Sequence, residues 1–188
     1  MPDDERGAAL LDAARRAIAE MLGVAAPEPA EPAADLRAAG SSFVTLTTGG
    51  RLRGCIGTLS FDRPLIEDVR ANAVAAALRD PRFPPLDRAE YTDLRVEVSV
   101  LRAPQPLPAA ATLEEAAALL RPGFDGVILE RGLARGVFLP QVWDSLPEPR
   151  RFLRQLRLKA GLPEEGWEHG LRLWRFGVDK YREAGIGG

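Results

Sequence analysis

The chain has 188 residues, enough for one domain or one domain with a smaller lobe, and a chain of this size can bury about 70% of its unfolded surface without staples. Its 25 basic and 27 acidic residues leave a net charge of -2, so there is no global positive field for nucleic acid, and no apolar run of about 20 residues is present to span a membrane. One cysteine and one histidine assemble no zinc-type ligand set and close no internal disulfide, which excludes a transition-metal centre of that kind, leaves an all-carboxylate site open, and fits a reducing, cytoplasmic setting.

From Asp4 to Leu22, Leu11, Ala14, Ile18 and Met21 or Leu22 recur at helical spacing with charges between them, an amphipathic helix. Residues 25–34 carry three prolines and no apolar period, and read as an extended Pro/Ala-rich linker within a single domain spanning 1–188. Ser42 to Thr48 and Arg51 to Leu59 form a hairpin around Gly49-Gly50, glycines that supply the positive φ of a tight turn. Pro64 opens a helix with Leu65, Val69, Asn72 and Ala76 on one stripe, so an asparagine sits on an apolar face. Asn72 is either an amide satisfied inside the protein or a polar group offered to a cleft.

That helix stops near Arg79, because Asp80-Pro81-Arg82-Phe83-Pro84-Pro85 cannot continue it, and the prolines hold Arg82 and Phe83 in a stiff loop. Leu94, Val96, Val98 and Val100 alternate with Arg95, Glu97 and Ser99, a strand with one buried and one polar face. After a loop holding Pro104, Pro106 and Pro108, Thr112-Leu113-Glu114-Glu115 is a capping box for a helix that ends near Pro122-Gly123. A second hairpin spans Gly126 to Glu130 and Leu133 to Leu139. A helix then runs from about Glu148 to Ala160 with Gly161 as its stop, and a last strand covers Leu171 to Val178. Hairpins rather than regular βαβ units predict an α+β fold with an antiparallel or mixed sheet and flanking helices.

Leu52-Arg53-Gly54-Cys55-Ile56-Gly57-Thr58 holds the single cysteine. Strand alternation puts Arg53 and Cys55 on one face, with Gly57 leaving space beside them, and Leu52, Ile56 and Thr58 on the other. A nearby cation favours the thiolate, the nucleophilic form of cysteine, and two glycines around one thiol suggest a bulge or a close backbone approach. The alternative is a small apolar side chain packed in a wall, the commoner fate of cysteine.

These residues, with Asn72, Asp80 to Pro85, Glu97 to Leu101, Phe138-Leu139-Pro140-Gln141-Val142 and Lys159-Ala160-Gly161-Leu162, carry a resemblance. In that order, over about residues 8–183, they are similar to the AMME-syndrome chromosomal-region gene product family, whose prokaryotic members are called AmmeMemoRadiSam system protein A. The resemblance implies an α+β fold in two unequal lobes with a cleft between them. It implies association with a Memo-like protein, similar to non-haem iron dioxygenases, and with a radical S-adenosylmethionine protein. It does not imply a settled reaction, and no cofactor is expected. Some prokaryotic members have a second cysteine before Lys-Ala-Gly-Leu, where this chain has Leu156-Arg157-Leu158, so a two-cysteine disulfide mechanism is impossible within this one chain.

Two classes of function follow. In the first, an enzyme or thiol carrier acts on a small molecule or peptide: Cys55 is the nucleophile, Arg53 activates it, and Asn72, Arg82, Glu97 or Gln141 orient the substrate. Its general base would be Glu97 or His169 brought close by folding. In the second, a non-catalytic subunit presents a substrate to the Memo-like or radical partner and Cys55 merely packs. Nucleic-acid binding is the weakest option, because aromatic and basic residues alternate only from Trp167 to Tyr181.

Overall fold

The computed structural model describes residues 3–26, 34–167 and 170–183. The fold is α+β, in two compact units: Met1–Leu101 with Asp179–Gly188, and Arg102–Val178. The helices are α1 (Asp3–Leu22), α2 (Leu65–Leu78), α3 (Leu113–Ala118) and α4 (Pro149–Lys159). The strands are β1 (Ser42–Thr48), β2 (Arg51–Gly57), β3 (Leu94–Leu101), β4 (Gln105–Pro106), β5 (Gly126–Arg131), β6 (Ala134–Phe138), β7 (Arg172–Phe176) and β8 (Val178–Arg182). The linker expected over 25–34 falls largely outside the described residues, as does His169.

In the first unit the sheet order is β2-β1-β3-β8, and β1 pairs antiparallel with both β2 and β3. Alternation turns Val44, Leu46, Leu94, Val96 and Val98 to one face, where Leu10, Ala14 and Ile18 of α1 and Val69, Ala73 and Ala76 of α2 cover them. Each large aliphatic side chain buried there contributes about 1.5 to 3 kcal/mol. The small residues of α2 allow a close approach, and the Asp80-Pro81 step ends the helix, as expected. Glu183 ties the last described residues to this sheet. Its Oε2 accepts from Arg15 Nη2 (2.7 Å) and from Val96 N (3.0 Å), and its own N–H donates to the Val96 carbonyl.

The second unit has the sheet order β4-β7-β5-β6. Val127, Leu129 and Leu173 turn to one face, under Ala116 and Ala117 of α3 and Phe152, Leu153 and Leu156 of α4. Trp143 stacks on Phe152 with centroids 3.8 Å apart. Thr112 caps α3, its hydroxyl accepting from Glu115 N at 3.1 Å, but the returning Glu115 carboxylate takes the N–H of Ala111 rather than of Thr112. The box is therefore displaced by one residue, and the helix ends at Ala118, earlier than Pro122.

Two differences from the sequence expectation have physical causes. The strand expected over 171–178 is two strands: β7 pairs in the second sheet, Gly177 interrupts, and β8 continues in the first. Alternation reports a strand but not its partner, so it cannot show a chain changing sheets. The Pro-rich loop holds a short strand, β4, whose Pro106 lies opposite Trp174 at the sheet edge, where a residue without an N–H is tolerated.

Candidate functional site

β2 is an edge strand, and its ladder with β1 is broken once. Cys55 pairs with Thr45 and Gly54 with Leu46, but Leu52 pairs with Thr47, so Arg53 is the extra residue of a bulge. Gly54 faces the helices: a Cβ there would lie 2.1 Å from the Ala76 carbonyl oxygen, so only glycine lets α2 come this close. Gly57 does not open space beside Cys55, as strand alternation alone suggested. The Phe43 ring fills it, and a Cβ on Gly57 would stand 2.2 Å from that ring.

Cys55 lies opposite Thr45 on the sheet face away from the α1/α2 core, and it is half-buried. Thr45 Oγ1 donates to Cys55 Sγ at 3.3 Å. The outward backbone groups of Cys55 would be unpaired at a sheet edge, and two side chains from the loop after α2 take them. The Cys55 N–H donates to Asp80 Oδ2 (2.8 Å), and Arg82 Nη2 donates to the Cys55 carbonyl (3.3 Å). Arg82 also binds Asp80 through Nε (2.9 Å) and Nη2 (2.6 Å), and the Arg82 N–H reaches Asp80 Oδ1. The Asp80 side chain is 2% exposed and that of Arg82 54%. The Arg82 guanidinium first, then the N–H groups of Cys55 and Arg82, hold the Asp80 carboxyl far below the usual carboxylate range against the opposing effect of burial. Arg82 is held charged chiefly by Asp80, with a smaller attraction to Cys55.

Arg53, on the same strand, is turned to a carboxylate in this arrangement. The bulge takes it out of the ladder, and Glu90 accepts from its Nε and Nη2, at 2.7 and 2.8 Å, while the buried Nη1 has no hydrogen-bond partner among the described residues. That pairing is the main reason the Arg53 pKa is raised and the Glu90 pKa lowered. Arg53 and Arg82 both approach the Phe83 ring, at 6.0 and 5.5 Å from its centroid. The cation that interacts with the cysteine is Arg82, presented by the proline-stiffened loop.

Asn72 takes the first of its two readings, a satisfied internal amide. It is 2% exposed, and Nδ2 donates to the Ser42 carbonyl (3.0 Å) and to Asp68 Oδ2 (2.9 Å). Asp68, fully buried, also accepts from Ser42 N and Oγ, Thr58 Oγ1 and Arg63 Nε, so the network clamps α2 to the start of β1 and the end of β2. Glu97 lies opposite Thr45 on the other side, completing a row Cys55–Thr45–Glu97 across three strands. Two strand spacings, about 10 Å, separate the ends of that row, and Arg182 Nε donates to the Glu97 carboxylate. Gln141 is exposed in the 3-10 turn Pro140–Asp144 of the second unit.

Thr45, Asp80 and Glu90 were missed as site residues. Asp80 stood in the sequence as a helix stop, Thr45 as one β-branched residue among several, and Glu90 in a segment with no pattern. For Asp80 a signal existed: an aspartate two residues before an arginine in a proline-fixed loop can fold back onto it. Among the described residues, no group of three or more His, Cys, Asp or Glu side chains could hold a metal ion. No described helix is long and apolar enough to cross a membrane.

The arrangement gives the thiol a hydroxyl donor and sets a guanidinium on the backbone carbonyl of the same residue, with half of the Arg82 side chain still open to solvent. It can present sulfur to an electrophile and offer a cation to a carboxylate or phosphate on the same molecule.

Comparison with known proteins places this geometry in a family. A protein of Thermofilum pendens is 40% identical over 198 aligned residues, covering 96% of this chain and 91% of that protein. One of Aeropyrum pernix is 39% identical, covering 97% and 80%. The crystal structure of an uncharacterized protein from Pyrococcus horikoshii superposes with a TM-score of 0.81 at 35% identity, over 95% of this chain and 92% of that one. The family profile described as AMMECR1 matches residues 11–181, and the chain belongs to the AMMECR1 family.

Proposed function

We propose that this is a cytoplasmic thiol enzyme or thiol carrier in which Cys55 is the reacting group. Its substrate is a small molecule or peptide bearing a carboxylate or phosphate. The Memo-like protein and the radical S-adenosylmethionine protein to which the family resemblance points are its partners. The observation that carries this reading is the position of Cys55, outside the apolar core, receiving a hydrogen bond from Thr45 and lying beside Arg82. Arg82 can engage the substrate anion with its exposed edge while its inner edge holds Asp80. Sulfur forms the new bond to the electrophilic centre, and the thiol proton passes to the leaving group or to solvent. Asp80 and Glu97 are each held by a guanidinium and are poorly placed as bases.

A second reading, a binding wall without chemistry, draws on the double capping of the Cys55 backbone by Asp80 and Arg82, which makes β2 a rigid edge. Cys55→Ser and Cys55→Ala separate the two. Serine barely changes shape but is a poor nucleophile without a base. The thiol reading expects both variants to melt within a few degrees of the parent and both to fail in complementing a deletion strain, and it expects iodoacetamide to label the folded parent at Cys55. Complementation by the alanine variant, or complete resistance of the folded protein to labelling, would leave the binding reading.

A further inference from the structure

Of the 11 residues of α4, five are basic and none is acidic. Phe152, Leu153, Leu156 and Arg157 face inward, and Arg157 spends its guanidinium on the carbonyls of Pro163 (2.8 Å) and Glu165 (3.2 Å). On the outer side, spacings of three and four put Arg151, Arg154 and Leu158 on one stripe, with Arg150 and Lys159 flanking it. All five are exposed, Leu158 to 45%.

Several exposed arginines elsewhere sit on carboxylates, as Arg82 on Asp80, Arg121 on Asp125 and Arg172 on Glu130. On α4 the nearest acid in sequence, Glu148, is drawn to the backbone N–H groups of Arg150 and Arg151. Among the described residues, Arg150 alone of these side chains reaches a carboxylate, Glu114 at 3.7 Å. Arg154 also walls a cavity of about 430 Å³ with Thr112, Glu114, Glu165 and Trp167. The Trp167 indole N–H is already taken by the Ala110 carbonyl at 2.9 Å, so the ring has only its apolar surface to offer.

We propose that the outer face of α4 and this cavity form a docking site for an acidic, partly apolar segment of a partner protein. Its carboxylates pair with Arg151 and Arg154, one apolar side chain covers Leu158, and another enters the cavity against Trp167. Charge complementarity names this occupant: Arg151 and Arg154 supply exposed cations that reach no carboxylate among the described residues, and Leu158 with the apolar face of Trp167 suits apolar side chains, which a phosphodiester backbone lacks. The site lies in the second unit and does not depend on the chemistry of Cys55.

The test is fluorescence anisotropy of the full chain with a labelled peptide of repeated Glu-Glu-Leu-Phe, against a Lys-Lys-Leu-Phe peptide and a labelled oligothymidylate. The acidic peptide should bind at low salt, weaken with added salt, and lose about tenfold or more in affinity to R151E/R154E. L158S should cost a smaller factor. R151A/R154A, which removes charge without reversing it, should fall between parent and R151E/R154E, and it keeps the test decisive if the double reversal does not fold. No binding of the acidic peptide, equal binding of the basic one, or indifference to both double variants overturns the proposal. Tighter binding of oligothymidylate would assign the surface to nucleic acid instead. Concentration-dependent dimerisation abolished by the same variants would assign it to a second copy of the chain.

Discussion

The hairpins β1–β2 and β5–β6 press a glycine of their second strand against a helix. A Cβ on Gly54 would lie 2.1 Å from the Ala76 carbonyl oxygen of α2, and one on Gly136 would lie 2.7 Å from the Leu156 carbonyl oxygen of α4. Beyond that the two diverge. β5–β6 runs from Val127↔Phe138 to Arg131↔Ala134 in unbroken register. β1–β2 slips at Arg53, and the edge of β2 is closed by side chains of a distant loop rather than by another strand. A glycine under a helix is therefore a packing device that either hairpin can use. The bulge and the Asp80–Arg82 cap set the first hairpin apart, and they surround the single cysteine.

The comparison breaks most visibly at the glycines. Gly54→Ala should destabilise by about 3 kcal/mol or more, because the obstacle is backbone and cannot rotate away. Gly136→Ala should cost less, about 1 to 3 kcal/mol. Urea unfolding of the two variants side by side measures the ratio, and equal losses would mean that the closer approach at Gly54 has no energetic weight.

The cap is next in size. Asp80→Asn leaves Arg82 without its carboxylate and should cost about 2 kcal/mol at neutral pH. The folded Asp80 carboxyl titrates below its unfolded range of about 4, so its stabilisation is fully present above that range and is lost as pH falls through the depressed folded value. Thermal melts from neutral pH into acid should show the parent losing more stability than the variant, and the two curves drawing together.

A smaller effect sharpens the assignment of the two arginines. Arg82→Ala should slow iodoacetamide labelling of Cys55 by more than about twofold at neutral pH, by removing the guanidinium held at the Cys55 carbonyl. Arg53→Ala should leave the rate within about twofold, because that guanidinium is committed to Glu90, while costing about 1 to 2 kcal/mol of stability. The reverse pattern, measured by mass spectrometry over time, would restore Arg53 as the activating group. The smallest change is expected for Thr45→Val, which removes one weak donor to sulfur: under about 1 kcal/mol in stability, with a measurable shift in labelling rate.

What the amino-acid sequence determined alone is what local physics controls. The period of α1, α2 and α4, the alternation of β3, the Gly49-Gly50 turn, the Thr112 cap and the stop at Asp80-Pro81 depend on residues within a few positions of one another, and each is present. The two glycines around Cys55 could also be read as positions with no room for a Cβ. Only the tertiary structure decided which objects fill that room, the α2 backbone at Gly54 and the Phe43 ring at Gly57. It decided that Arg53 bulges out to Glu90, because register is a property of two strands and not of one. It brought Asp80 and Arg82 to the Cys55 backbone across 25 and 27 residues of chain and turned Asn72 inward to Asp68. It divided the last predicted strand between two sheets, since hydrogen-bond partners are chosen by the folded chain and leave no trace in side-chain alternation.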